Sequence, residues 1–237
     1  MKGLGELVCD RLLSLAMAIA VLAVLLGLAR SANAQAFSRL EAGQQTVTAE
    51  TGLQAGFVTS LGYARGLRID ASNPTSRTLI PFAQATLLVA KPDPSDYAFR
   101  AGSQISLVSI GWFDLSTQLA FEVAATENSI YRGTALRTDL VLLAGHYGRR
   151  WFAVAEAGYG RAWLTYIENS DYYRMNFYAD ARDGWYGGTG GRLHAGAKGG
   201  VTLGAVEVVL RAGLTKTETL QDLDLPFYVT LGANYRF

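Results

Sequence analysis

Phe227-Tyr228-Val229-Thr230-Leu231-Gly232-Ala233-Asn234-Tyr235-Arg236-Phe237 alternates from its first residue to its last. Phe227, Val229, Leu231, Ala233, Tyr235 and Phe237 fall on one face, and Tyr228, Thr230, Gly232, Asn234 and Arg236 on the other. A period of two places successive side chains on opposite faces of a β-strand. One face is apolar and aromatic; the other is small and polar with a single charge.

The pattern repeats upstream. Val206 to Leu214, Leu193 to Leu203, Trp151 to Gly160, Leu136 to Gly145, Leu115 to Ala124, Tyr97 to Leu107 and Leu53 to Tyr63 all alternate. Thr78 to Ala90 is apolar on both faces and reads as a strand from its position. That makes nine strands, and Leu40 to Ala49 supplies a tenth, since an even count is expected; eight remain possible if two segments do not span. The polar face carries Gly, Ser, Thr, Gln and isolated charges, whereas the other carries Leu, Val, Ala and aromatics. A soluble sandwich turns its apolar face inward. Here the small, charge-bearing face suits a cramped interior and the oily face suits lipid. A sheet in lipid tolerates no open edge, so the expected fold is all-β, a closed antiparallel transmembrane barrel.

Connection lengths fit this fold. Ile110–Phe113, Tyr147–Arg150 and Leu203–Ala205 are short, as periplasmic turns are. Lys91–Asp96, Glu127–Gly133, Asn169–Thr189 and Glu218–Leu225 are longer and are expected outside. Ala64–Arg77 is long for a periplasmic turn, and the scheme leaves it unexplained.

The first 34 residues read as a secretory signal peptide, with residues 35–237 forming the barrel. Lys2 and Arg11 precede the apolar run Leu12 to Leu28, and SANAQA places cleavage after Ala34 or Ala36. The rival is a retained anchor helix, for which 17 residues is near the lower limit. The single cysteine, Cys9, lies in the leader, so neither thiol catalysis nor a disulfide is expected of the mature chain. Cleavage removes Lys2, Arg11, Arg30, Glu6 and Asp10 and leaves no net formal charge, so nothing favours nucleic acid.

With these features in view, the chain resembles the small outer-membrane β-barrel families of Gram-negative bacteria, the porin-like and opacity-type barrels. The terminal FYVTLGANYRF resembles their closing strand, and Tyr235 and Phe237 resemble the signal read by the barrel-assembly machinery. GYARG at Gly62–Gly66 and GYGRAW at Gly158–Trp163 have the same character but assign no subfamily. The resemblance implies residence in the bacterial outer membrane, among its lipid and lipopolysaccharide; it implies no substrate.

The expected interior charges are Arg100, Arg137, Arg192, Lys198, Arg211 and Arg236 with Glu122, Asp139, Glu156 and Glu207, beside His194. Buried charges need partners, so a structural salt-bridge network filling the barrel is favoured over a solute-selecting constriction. Glu207 and Arg211 are not expected to pair within their own strand; cross-strand pairing with Arg192, His194 or Lys198 is expected instead. The second expected site is the loop Asn169–Thr189, where Tyr172, Tyr173, Tyr178, Trp185 and Tyr186 are candidates for contacts with sugars or proteins. The bland alternative is an aromatic loop resting at the headgroups. Trp112, Trp151 and Trp163 read as interfacial anchors. No catalytic residues, metal or cofactor are expected. His194 (HAG) and His146 (HYG) lack the Ser two residues on that a lipid A deacylase pattern would show, and two distant histidines make a poor metal site. A structural or adhesion-type barrel is the first expectation, a narrow channel for small polar solutes the second, and a lipid-modifying enzyme the third.

Overall fold

A computed structural model describes residues 40–54, 57–69, 77–88, 96–217 and 226–237. The leader and its cleavage sites lie outside the described residues. Eleven strands follow in order: β1 (Gln45–Leu53), β2 (Phe57–Arg65), β3 (Leu67–Arg68), β4 (Thr78–Leu88), β5 (Tyr97–Ile110), β6 (Phe113–Glu127), β7 (Tyr131–Tyr147), β8 (Trp151–Asn169), β9 (Gly184–Leu203), β10 (Val206–Thr217) and β11 (Phe227–Arg236), with one short helix, α1 (Asp171–Asn176), between β8 and β9. Every pairing is antiparallel. β1 pairs with both β2 and β11, and β2 with β4, so the sheet closes on itself. β3 pairs with β4 in the register of β2 and prolongs that strand past Gly66. The barrel therefore has ten strands. It is sealed where Gln45 and Phe237 exchange backbone hydrogen bonds of 3.2 and 3.1 Å.

The first hairpin corrects the sequence reading. Leu53–Tyr63 is not one strand, and the tenth strand is Gln45–Leu53 rather than Leu40–Ala49. Leu53 lies opposite Phe57, so three residues separate two positions on the same face. The alternation runs through the turn unbroken and hides it. Leu40 to Gln44 instead curl over Gly66, with Gly43 N donating to Gly66 O and Gly66 N to Gln44 O, each at 2.8 Å. A Cβ on Gly66 would sit 2.0 Å from the carbonyl oxygen of Glu41, so only glycine fits there. Much of the long Ala64–Arg77 connection is thus paired structure, continued by Ile69 N donating to Arg77 O at 3.1 Å.

Outside, the strands meet surroundings that no soluble protein would present. Leu61, Phe121, Leu140, Leu193, Leu210, Leu214 and Leu231 are each about half exposed or more, and they form a continuous band. That much exposed apolar surface requires hydrocarbon. Trp112 and Trp151 stand at one rim of the band and Trp163 toward the other.

β7, β8 and β9 are 17, 19 and 20 residues long. A tilted strand crosses the bilayer in about ten residues. Their outer ends therefore rise above the membrane as a three-stranded blade. This shortens the expected loops. Glu127–Gly133 reduces to a turn in which Asn128 Oδ1 accepts from the amides of Ile130 and Tyr131 at 2.8 and 2.9 Å. In Asn169–Thr189, residues from Gly184 onward already belong to β9, paired with β8.

Candidate functional site

The lumen is built in two halves. At the end closed by the short turns, Val141, Leu143, Tyr147, Phe152, Val154 and Val209 form a buried apolar cluster, and Leu40, Ala64 and Ile80, backed by Phe82, form another on the facing wall. A recess of about 90 Å³ lies between the two walls, touched by Phe82 on one side and Val141, Leu143 and Val209 on the other. The sequence reading put most of these residues on the inner face, but expected that face to be polar throughout.

Above them the charges pair. Arg211 Nε donates to Glu156 Oε1 at 2.7 Å, and the Tyr228 hydroxyl donates to the same oxygen at 2.5 Å. The Arg211 guanidinium lies 4.7 Å from the centre of the Tyr228 ring, a cation–π arrangement. Arg100 donates to Asp139 Oδ2 at 2.7 Å, and His194 Nε2 stands 3.1 Å from Asp139 Oδ1. Arg137 reaches Glu122 at 3.4 Å. At the short-turn end Glu207, fully buried, takes Arg236 and the Asn234 side-chain amide. Glu207 therefore has its hydrogen-bonded ion pair on β11, with Arg236, a partner that the sequence reading did not propose. Arg211 reaches past β9 to Glu156 on β8. Lys198 faces inward directly opposite Arg211. Arg192 also faces the lumen, yet among the described residues it makes no ion pair or hydrogen bond.

The inner-face glycines explain how these long reaches fit. A Cβ on Gly196 or Gly213 would meet the Tyr228 hydroxyl at 2.5 or 2.3 Å, and one on Gly158 would meet His194 Nε2 at 2.3 Å. A Cβ on Gly200 would meet Phe152 Cε1 at 2.4 Å. Each large inward side chain lies flat across the wall on a glycine seat of a neighbouring strand. Two members of the network were missed from sequence. Glu50, which accepts from the Thr230 hydroxyl, fell one residue beyond the misplaced end of the first strand. Tyr228 was visible on the small face, but only the paired glycines show why a ring fits there.

In the outer half of the lumen two recesses of about 90 and 140 Å³ share Glu122, Asp139 and Arg192 among their walls.

The second candidate site is the blade tip. Ser170 caps α1, its hydroxyl accepting from Tyr173 N at 3.1 Å. Asp183 ties the loop together. It accepts from Asn169 N at 2.8 Å and from Arg174 at 2.5 Å. The Asn169 amide, followed by Arg174, holds its carboxyl below the ordinary aspartate range. On this scaffold Tyr172, Met175, Phe177, Tyr178 and Trp185 are all more than half exposed, while Tyr186 is anchored through its hydroxyl to Arg182 O at 2.7 Å. Tyr173 lies within the tip, stacked on Phe177 at 5.8 Å. Trp185 and Tyr186 sit on β9 rather than in a loop, with Trp185 opposite Tyr166.

His146 and His194 stand apart. His146 is at the short-turn rim, 2.8 Å from the Trp112 carbonyl and 4.6 Å from the Trp151 ring. Glu156, considered as a partner for His194, is engaged by Arg211 and Tyr228. Among the described residues no group of three His, Cys, Asp or Glu could hold a metal ion. At the carboxyl end Tyr235 and Phe237 both face outward, their rings stacked 6.2 Å apart.

No protein family matches the chain, and no curated protein does. Two solved structures are similar to it over most of its length. The KdgM porin is 10% identical, covers 81% of this chain and 99% of its own, and gives a TM-score of 0.35. The β domain of the Bordetella autotransporter BrkA is 13% identical, covers 83% and 100%, and gives 0.32. Ring closure, antiparallel pairing throughout and an apolar exterior make this chain a closed, ten-stranded antiparallel transmembrane β-barrel.

Proposed function

We propose that the protein resides in the bacterial outer membrane as a structural or adhesion-type barrel, occluded to solutes, whose blade tip contacts partners outside the cell. The observation that carries this reading is the filling of the lumen. Apolar clusters and the Arg236–Glu207 pair occupy the periplasmic half, and three ion pairs cross the remainder. Ten strands enclose only a little more room than the eight that side chains normally fill. The tip supports the second half of the reading. Its aromatic groups are exposed on a loop that is already ordered, which lowers the entropic cost of binding. Rings with polar edges suit sugars, including those of lipopolysaccharide, or protein surfaces.

Planar bilayer recording tests the occlusion. The reading expects no discrete conductance steps; steps that change size with Glu122 or Arg211 substitution would establish the narrow channel instead. Deleting 171–182 should abolish binding to outside partners while keeping heat-modifiable gel mobility, and unchanged binding would overturn the adhesive role. The barrel-assembly machinery is the proposed partner of Tyr235 and Phe237. Lipid modification has less support: among the described residues no hydroxyl is hydrogen-bonded to the His194 ring of the Asp139–His194 pair. Mass spectrometry of lipid A with and without expression checks this.

A further inference from the structure

We propose that the outer half of the lumen binds free inorganic phosphate, held by Arg192 and by the phosphate's own hydroxyl donating to His194 Nδ1. The other inward arginines have partners: Arg100 has Asp139, Arg137 has Glu122, Arg211 has Glu156 and Arg236 has Glu207. Arg192 has no ion pair or hydrogen bond among the described residues; it lines the outer recesses beside Asp139 and Glu122, each already paired with another arginine, and Glu50, which accepts from Thr230. A guanidinium recognises an oxyanion through paired N–H donors.

The second observation is the ring two residues away on the same face of β9. His194 is 7% exposed, lines the same recess as Arg192, and its Nδ1 is buried without a hydrogen-bond partner. Residues i and i+2 of a strand are about 7 Å apart, near enough for one small ligand to meet both side chains. The tautomer follows from Asp139. That carboxylate is paired with Arg100 and only accepts, so His194 Nε2 carries the proton. A ring that carries only that proton leaves Nδ1 a bare acceptor. A ligand that satisfies both groups must bring negative oxygens and an O–H. Hydrogen phosphate has both at neutral and mildly alkaline pH. Sulfate lacks the hydroxyl. A phosphate monoester, free or on a lipid, loses its own above a second pKa of about 6. The recess that both side chains line has a volume of about 90 Å³.

The test is calorimetric titration of the folded, unaltered protein in detergent micelles at pH 8 and low salt, with inorganic phosphate, sulfate and methyl phosphate. Saturable one-to-one phosphate binding is expected, with sulfate and methyl phosphate weaker. R192Q should weaken phosphate at least about ten-fold, the loss expected for a charged hydrogen-bonding group. H194A should remove the preference over sulfate while leaving residual binding. An arm that needs no variant is phenylglyoxal modification read by mass spectrometry, in which phosphate should protect Arg192 and methyl phosphate should protect it less. Absence of saturable phosphate binding, equal affinity for sulfate, or an Arg192 that phosphate does not protect would each overturn the proposal. A monoester that outcompetes phosphate would do the same, and would transfer the site to an esterified ligand.

Discussion

Removing Glu156 should destabilise the barrel by far more than removing Glu156 and Arg211 together. The carboxylate has a side-chain exposure of 3% and the guanidinium 21%, and their bond is 2.7 Å long. Breaking a buried pair from one side strands the other charge and costs about 3–5 kcal/mol. Glu156→Leu and Arg211→Met should each fall in that range. In the double variant no charge is stranded. What remains is the Tyr228 hydroxyl, which loses its acceptor at a cost of about 1–3 kcal/mol. Adding Tyr228→Phe removes that donor as well and should bring the triple variant to within about 1 kcal/mol of the unaltered protein. Urea titration of folding into lipid vesicles reads these differences. Tryptophan fluorescence suits it, since Trp112, Trp151, Trp163 and Trp185 are all exposed on the barrel's outside. A double variant as unstable as the sum of its singles would refute the reasoning, because the two groups would then be acting independently.

Gly158→Ala should push His194 off Asp139 and cost about 1–3 kcal/mol in the same titration, with most of the loss absent in a His194→Ala background. Placing lysine at Leu140, in the apolar band, should cost about 2–4 kcal/mol, with a smaller penalty at Ile110 near the rim. For Asp183 the folded carboxyl is depressed, so its contribution is complete above the unfolded value near 3.9 and disappears as the pH falls through the folded one. The blade tip should accordingly keep its amide protection at Asn169 from pH 8 down to about 5 and lose it only in stronger acid, and Asp183→Asn should lose it at every pH. Phe237→Ala should lower the folded fraction in cells and slow assembly, while leaving urea stability after refolding nearly unchanged; pulse-chase heat-modifiability against vesicle titration separates the two.

Ring closure, strand parity and the identity of the inward charges were legible because period-two alternation reports them residue by residue. Boundaries were less so. A three-residue turn between Leu53 and Phe57 preserves parity and leaves no mark in the alternation. The same blindness hid the outer ends of β7 to β9, since strands continue above the membrane without any change of period. Gly187, Gly188 and Gly190 further blur the alternation of β9 where its register with β8 shifts. Charge partners were the least legible. Lys198, directly opposite Arg211 on β9, is a like charge, and the partner of Arg211 is Glu156 one strand further on. The signal that could have found it is the run of inward glycines, Gly158, Gly196 and Gly213, which leaves the wall low enough for side chains to cross. The apolar half of the lumen was likewise written in Val141, Leu143, Val154 and Val209, each on the charged face of its strand. Their position near one end emerges only when the strands are brought into register.

The central claim is that one face of each strand touches hydrocarbon. The only cysteine of the chain is Cys9, so single cysteines in the barrel can be labelled with a nitroxide free of background in a chain beginning after the leader. Residues 116 to 123 of β6, scanned one by one in vesicles, should alternate in collisions with oxygen dissolved in the bilayer. Leu119, Phe121 and Val123 should be high, and Ser116, Gln118, Ala120 and Glu122 low. A flat profile, or one with the two sets exchanged, would contradict it.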